Sequence, residues 1–166
     1  MKTLTAILVS SVFASAAASA QTTNTPTPTA GVQAFLNVLN SGKGKPMEQM
    51  TPQEARQVLI DAQQGAKLPP AQVSEKTIQV NGQAIKLKIV KPENASGTLP
   101  AFMFFHGGGW VLGDFPTHER LIRDLVRASG AAAVYVDYTP SPEAHFPVAI
   151  NQAYEATKWV AGHEIG

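Results

Sequence analysis

Cysteine is absent from the chain. That excludes disulfides, thiolate metal sites and a lipid-modified cysteine at a processing point, and leaves stability to packing. Charge is scarce and balanced, with 13 lysines and arginines against 12 aspartates and glutamates and a formal net charge of +1. Without a clustered basic face there is no electrostatic basis for nucleic-acid binding. The apolar stretch from Leu4 to Phe13 has about ten residues against the ~20 a helix needs to span a bilayer, so no stable membrane anchor is expected. His118, His145 and His163 have no histidine partner at helical spacing, so no metal site is expected, and His118 reads as structural.

What is present is ordinary globular composition, 44% hydrophobic over 166 residues, which suits one domain. The start divides into the charged Met1-Lys2, the apolar stretch, and a small-residue run ending Ala18-Ser19-Ala20. That order predicts a secretory signal peptide over 1–20, with cleavage after Ala20 and export to a periplasm or the medium. Residues 21–30, rich in Thr, Asn and Pro, read as a flexible leader.

Residues 31–72 read as a helical segment. Val32, Phe35, Leu36 and Leu39 recur at helical spacing up to Ser41-Gly42-Lys43-Gly44. Thr51-Pro52-Gln53-Glu54 combines a cap, a proline at the first helical position and a capping-box glutamate, which predicts a helix running to about Gln64 before Gly65 and Pro69-Pro70.

From residue 73 onward the pattern changes to strands. Thr77 to Val80 and Ile85 to Val90 alternate apolar and polar residues around Asn81-Gly82, a strong hairpin signal. Ala101 to Phe105 is a continuous apolar run, as expected for a strand buried on both faces. A helical stripe follows at Leu121, Ile122, Leu125 and Val126, then a second apolar strand from Ala131 to Val136, and a further helix opening at Phe146-Pro147. Two such strands around a helix predict a βαβ unit in an α/β fold, with the hairpin adding antiparallel strands at one edge.

Chemistry concentrates where the first apolar strand ends, in Phe104-Phe105-His106-Gly107-Gly108-Gly109-Trp110-Val111-Leu112-Gly113-Asp114. Gly108 and Gly113 fit two positions of a phosphate-binding loop, but Asp114 stands where that loop needs lysine and would repel phosphate. A flexible turn and an oxyanion-binding loop remain. This segment resembles the His-Gly-Gly-Gly loop of hormone-sensitive-lipase-like carboxylesterases (α/β-hydrolase fold-3), and the similarity continues through Thr117-His118-Glu119-Arg120 and Asp137-Tyr138, covering roughly Thr77 to Val160. Acyl transfer passes through a tetrahedral oxyanion that backbone N–H groups must reach without obstruction from side chains.

The resemblance implies N–H donors at Gly108 and Gly109, a turn allowed by Gly107, and loop support from His106. It also implies that Asp137 and Tyr138 brace the loop, although Asp137 also reads as a plain turn cap. Trp110 either lines an acyl pocket or packs against the fold. Thr139 stands where an arginine is usual. The implied fold is an α/β-hydrolase with a mostly parallel sheet, an N-terminal antiparallel hairpin and short cap-like helices at the N-terminus. The implied activity is that of an esterase or lipase, hydrolysing small-molecule carboxylic esters through a serine without cofactor.

A serine on a Gly-x-Ser-x-Gly elbow, with an acid and a histidine after it, completes such a site. None of Ser41, Ser74, Ser96, Ser129 or Ser141 has that setting. The expectation is therefore a truncated form holding the N-terminal half of the hydrolase domain over 73–166, inactive alone. The alternatives are a secreted module that binds anions on the loop and one half of a split esterase that a C-terminal fragment would complement. Ala101 to Phe105 is then expected to lie on an open sheet edge prone to aggregation.

Overall fold

The computed structural model of the protein describes residues 27–42 and 44–163. The signal peptide expected over 1–20, leader residues 21–26, Lys43, the side chain of Leu39 and the ending at 164–166 lie outside the described residues. The chain forms two compact units that divide after Gly44, so the helical segment expected over 31–72 is shared between them. The first contains helix α1 (Ala30–Ser41), which Gly42 ends in extended conformation.

The second unit begins with a single 3₁₀ turn at Met47–Gln49 and helix α2 (Pro52–Asp61). Both halves of the Thr51 capping box form: Glu54 N–H donates to the Thr51 hydroxyl and Thr51 N–H to the Glu54 carboxylate. The helix stops at Asp61 rather than Gln64, because Gln63 and Gln64 donate to the carbonyls three residues back and Gly65 turns at φ +78°.

Four strands form one mixed sheet in the order β1-β2-β4-β3, with β1 at Ala71–Val80, β2 at Gln83–Pro92, β3 at Ala101–Phe104 and β4 at Ala132–Asp137. Strands β1 and β2 pair antiparallel from Val80↔Gln83 to Ala71↔Pro92, β2 pairs antiparallel with β4, and β3 pairs parallel with β4. Asn81 and Gly82 carry φ of +52° and +77°, the positive pair that a two-residue type I′ turn requires. The β1 strand starts six residues before Thr77. Gln72 to Glu75 are exposed on this outer strand, so burial imposes no apolar alternation there for the sequence to display.

The β3–α3–β4 unit forms as expected, with helix α3 at Phe115–Ser129. Alternation along β4 sorts the core. Val134 and Val136, with Tyr138 beyond the strand end, join Ile78, Ile85, Leu87 and Ala156 of helix α4 (Val148–Ala161). Ala133 and Tyr135 join Val90, Phe115, Ile122 and Val126 of α3. Helices thus cover both faces of the sheet. The buried stripe of α3 is narrower than its apolar sequence, since Leu121 and Leu125 are exposed while Ile122 and Val126 are not. Residues Ala132 to Val136 are all buried, as befits an interior strand. Strand β3 differs from the expectation of burial on both faces: it ends at Phe104, Ala101 is exposed and Phe105 is 46% exposed. It has one strand neighbour among the described residues. No described helix is long and apolar enough to cross a membrane.

Within the α3-side core the Tyr135 hydroxyl is buried with no hydrogen-bond partner among the described residues. Burial also pushes its pKa up, holding it neutral. An orphan hydroxyl costs about 1–3 kcal/mol of desolvation. Tyr135→Phe is accordingly expected to raise the urea-unfolding free energy by about 1 kcal/mol. A loss of that size instead would mean that the hydroxyl is satisfied in solution.

Candidate active site

The glycine loop runs from the end of β3 to the start of α3, and both ends are fixed. At the far end Asp114 caps α3: its carboxylate accepts from Thr117 N–H at 2.9 Å and its own N–H donates to the Thr117 hydroxyl at 2.9 Å. At the near end His106 is buried, its ring stacked on Tyr138 with centroids 4.4 Å apart and lying 5.3 Å from that of His118. Burial is the main cause that pulls the His106 pKa down, against the pull of the Gly107 carbonyl, so the ring is neutral at pH 7. Its Nδ1 lies 2.8 Å from the Gly107 carbonyl oxygen. A carbonyl only accepts, so Nδ1 carries the proton. The Tyr138 hydroxyl donates to the His106 carbonyl at 2.9 Å.

These contacts aim the donors. In a trans peptide the C=O of one residue and the N–H of the next point in opposite directions, and the loop peptides are trans. His106 holds the Gly107 oxygen, so the Gly108 N–H points away from the ring. The Gly108 oxygen accepts from Val111 N–H at 3.2 Å and Leu112 N–H at 2.9 Å, so the Gly109 N–H points away from that turn. Neither N–H has a backbone partner among the described residues.

Two glycines are required sterically. A Cβ on Gly108, at φ +124°, would lie 2.0 Å from the Leu112 oxygen. One on Gly113, at φ +89°, would lie 2.7 Å from the Gly107 oxygen and 2.8 Å from His106 Nδ1.

The loop opens onto a cleft of about 320 Å³ whose lining includes Phe105, Gly108, Gly109, Trp110, Tyr138 and Ile150. A second cleft of about 370 Å³ lies beside it, bounded by Gly109 and Trp110 together with His145, Phe146 and Ile150. Both are mostly apolar. Beside the Gly108 and Gly109 backbone, the polar side chains at their borders are His106 and Tyr138 in the first and Ser141 and His145 in the second, a surface suited to a small uncharged molecule bearing one developing negative charge.

Residues 102–165 match the α/β-hydrolase fold family. A thermostable esterase from Pseudomonas putida ECU1011 superposes with a TM-score of 0.76 at 66% identity, over 79% of this chain and 42% of that one. A hyperthermophilic esterase from Pyrobaculum calidifontis gives 0.72 at 33% identity, over 81% and 44%. Carboxylesterase NlhH of Mycobacterium tuberculosis is 33% identical over 94 residues, which are 56% of this chain and 30% of that protein. The chain belongs to the α/β-hydrolase family, in its fold-3 carboxylesterase group. It spans less than half the length of each of these proteins.

In this α/β-hydrolase chain the residues singled out in the sequence divide. His106, Gly107, Gly108, Gly109, Trp110 and Tyr138 line one cleft. Gly107 does not make the turn expected of it: its φ is not positive and a Cβ there would meet nothing within 4 Å. Gly108, Gly109 and Trp110, at φ +124°, +62° and +60°, turn the chain instead. Trp110 is 65% exposed at the cleft mouth and so is not a packing residue. Asp137 does not brace the loop. It is exposed at the end of β4 opposite Lys86, with no side-chain hydrogen bond among the described residues, and of the two residues only Tyr138 holds the loop. His118 does have a histidine partner in space, packing on His106 while its Nδ1 reaches the Asp114 carbonyl at 3.1 Å. Ser141 borders the second cleft, but its hydroxyl donates to the Ala144 carbonyl at 2.9 Å.

Two residues escaped the sequence reading. Gln152 of α4, buried, accepts from Thr139 N–H at 2.7 Å and donates to the Thr139 hydroxyl at 3.1 Å, which fixes the segment after β4 without the arginine usual at position 139. Arg56 of α2 reaches Val111, Ser141 and Glu143. These partners lie 55 to 87 residues away in sequence, so no local pattern signals them.

Proposed function

We propose that this chain supplies the oxyanion-binding part of a serine carboxylesterase site, with the N–H groups of Gly108 and Gly109 as donors to the developing negative charge of an ester carbonyl. The observation that carries the reading is the orientation of those two N–H groups, each fixed through the carbonyl of the preceding residue and free of backbone partners among the described residues. The mostly apolar cleft beside them supports a small-molecule ester as the substrate class. Hydrolysis needs, besides, an activated serine, a base and an orienting acid. No Gly-x-Ser-x-Gly occurs in the 166 residues, so these residues alone do not turn over an ester. Donors without a nucleophile also favour a second reading, reversible binding of a carboxylate at the same loop.

The test uses the full chain. Incubated with p-nitrophenyl acetate and a fluorophosphonate probe, it is expected to show no covalent labelling and no turnover above buffer. Titrated with acetate, whose carboxylate stands in for the oxyanion, it is expected to show saturable shifts of the Gly108 and Gly109 amide resonances in ¹⁵N–¹H spectra. Labelling with turnover would place a nucleophile within these residues after all. Silent glycine amides would remove the oxyanion-binding reading.

A further inference from the structure

Arg56 stands apart from the other charged residues. Four of its five guanidinium N–H groups are engaged, and each partner belongs to the loop or to the segment behind it. Its Nε donates to the Val111 carbonyl at 2.7 Å, its Nη2 to the Ser141 carbonyl at 2.8 Å, and its Nη1 and Nη2 to the two Glu143 oxygens at 2.6 and 2.9 Å. The bidentate pair is the strong geometry for arginine and carboxylate. It holds Glu143 down to a pKa of about 2, chiefly through the hydrogen bonds from Arg56.

We propose that Arg56 is a positioning residue that aims the Gly109 N–H by holding the Val111 carbonyl. The inference rests on the reading of this loop as an oxyanion-binding site. The connection runs through three peptide planes. Arg56 fixes the Val111 oxygen, and because the peptide is planar this turns the Leu112 N–H inward, where it donates to the Gly108 oxygen. The Gly108 oxygen, drawn inward, turns the Gly109 N–H out towards the cleft. The plane before is held in parallel: the Trp110 oxygen accepts from Ser141 N–H at 2.7 Å while Val111 N–H donates to Gly108. Arg56 ties this arrangement to the Ser141 oxygen as well, closing a ring between α2, the loop and the segment after β4. Helix α2 therefore acts on the site through one side chain that never touches the ligand. A lysine would not replace it, since a single ammonium cannot present a planar fork to acceptors on three sides.

The variants Arg56→Ala, Arg56→Lys and Glu143→Gln would be compared with the wild-type chain by amide hydrogen exchange and acetate titration. Arg56→Ala is expected to speed exchange of the Leu112 N–H and to weaken acetate binding, each by about tenfold, while the Val134 amide in β4 exchanges as before. Arg56→Lys keeps most of the side-chain stem and is expected to lose Leu112 protection too, so it decides the matter if the alanine variant does not fold. Glu143→Gln leaves both carbonyl contacts possible and is expected to lose less than Arg56→Ala. Wild-type Leu112 exchange in Arg56→Ala or Arg56→Lys would overturn the proposal. If the wild-type chain does not bind acetate, the oxyanion reading falls, and Leu112 exchange still decides whether Arg56 holds the loop.

Discussion

Gly108→Ala is expected to lower the unfolding free energy by roughly 3–5 kcal/mol and to abolish the acetate response of the loop. Two costs add. The backbone at φ +124° disfavours any residue with a Cβ. The Cβ itself would sit 2.0 Å from the Leu112 oxygen and 2.6 Å from its carbonyl carbon, and backbone atoms cannot swing aside as a side chain could. Relief requires the turn to open, which breaks the Leu112-to-Gly108 hydrogen bond and releases the plane that aims Gly109. Gly107→Ala is the matched control. Its Cβ meets nothing within 4 Å, and the substitution should stay within about 1 kcal/mol of wild type. Urea unfolding of the two variants checks the contrast, and equal losses would mean that the turn is not built as described.

The second large effect is expected at Ile122. Its side chain is fully buried between α3 and the sheet, in contact with the group formed by Val90, Phe115, Val126, Ala133 and Tyr135. Ile122→Ala should cost about 2–5 kcal/mol, combining lost transfer free energy with the cavity left behind. Helix α3 also carries Asp114 at its cap and His118 against His106, so loosening its seat reaches the loop. Phe146→Ala, at a residue 88% exposed, should change stability by less than about 0.5 kcal/mol. Thermal or urea unfolding decides between these, and a small loss at Ile122 would show that the α3 face tolerates a void.

Fold and site were legible to different depths. Strand β4 could be read because every residue from Ala132 to Val136 is buried, and burial leaves an apolar run in the sequence. The hairpin could be read because Asn81-Gly82 satisfies a local backbone demand. The outer half of β1 could not, since Gln72 to Glu75 face solvent and any polar residue serves. The glycine loop announced itself by composition, but composition alone did not say which glycines are obligatory. That depends on where the Leu112 and Gly107 carbonyls sit, which only the closed loop decides. Arg56 and Gln152 were invisible for a related reason: their partners, two carbonyls and a carboxylate for Arg56 and a backbone N–H and a hydroxyl for Gln152, are brought together by tertiary packing, and neither residue has an unusual neighbour in sequence.

The register of the hairpin also carries a consequence for the order of assembly. Strands β1 and β2 close across two residues and pair continuously for ten positions on each side, so their contacts with each other become available once the turn forms. Hairpins of this kind form on the order of microseconds. Strand β3 meets β4 only after residues 105–131, α3 included, have been drawn into a loop, and closure entropy grows with that length. The early hairpin thus offers β2 as the template on which β4 docks, and the late parallel pairing brings the glycine loop with it. The donor-bearing segment is then among the last parts of the molecule to take shape, and its folding depends on everything formed before it.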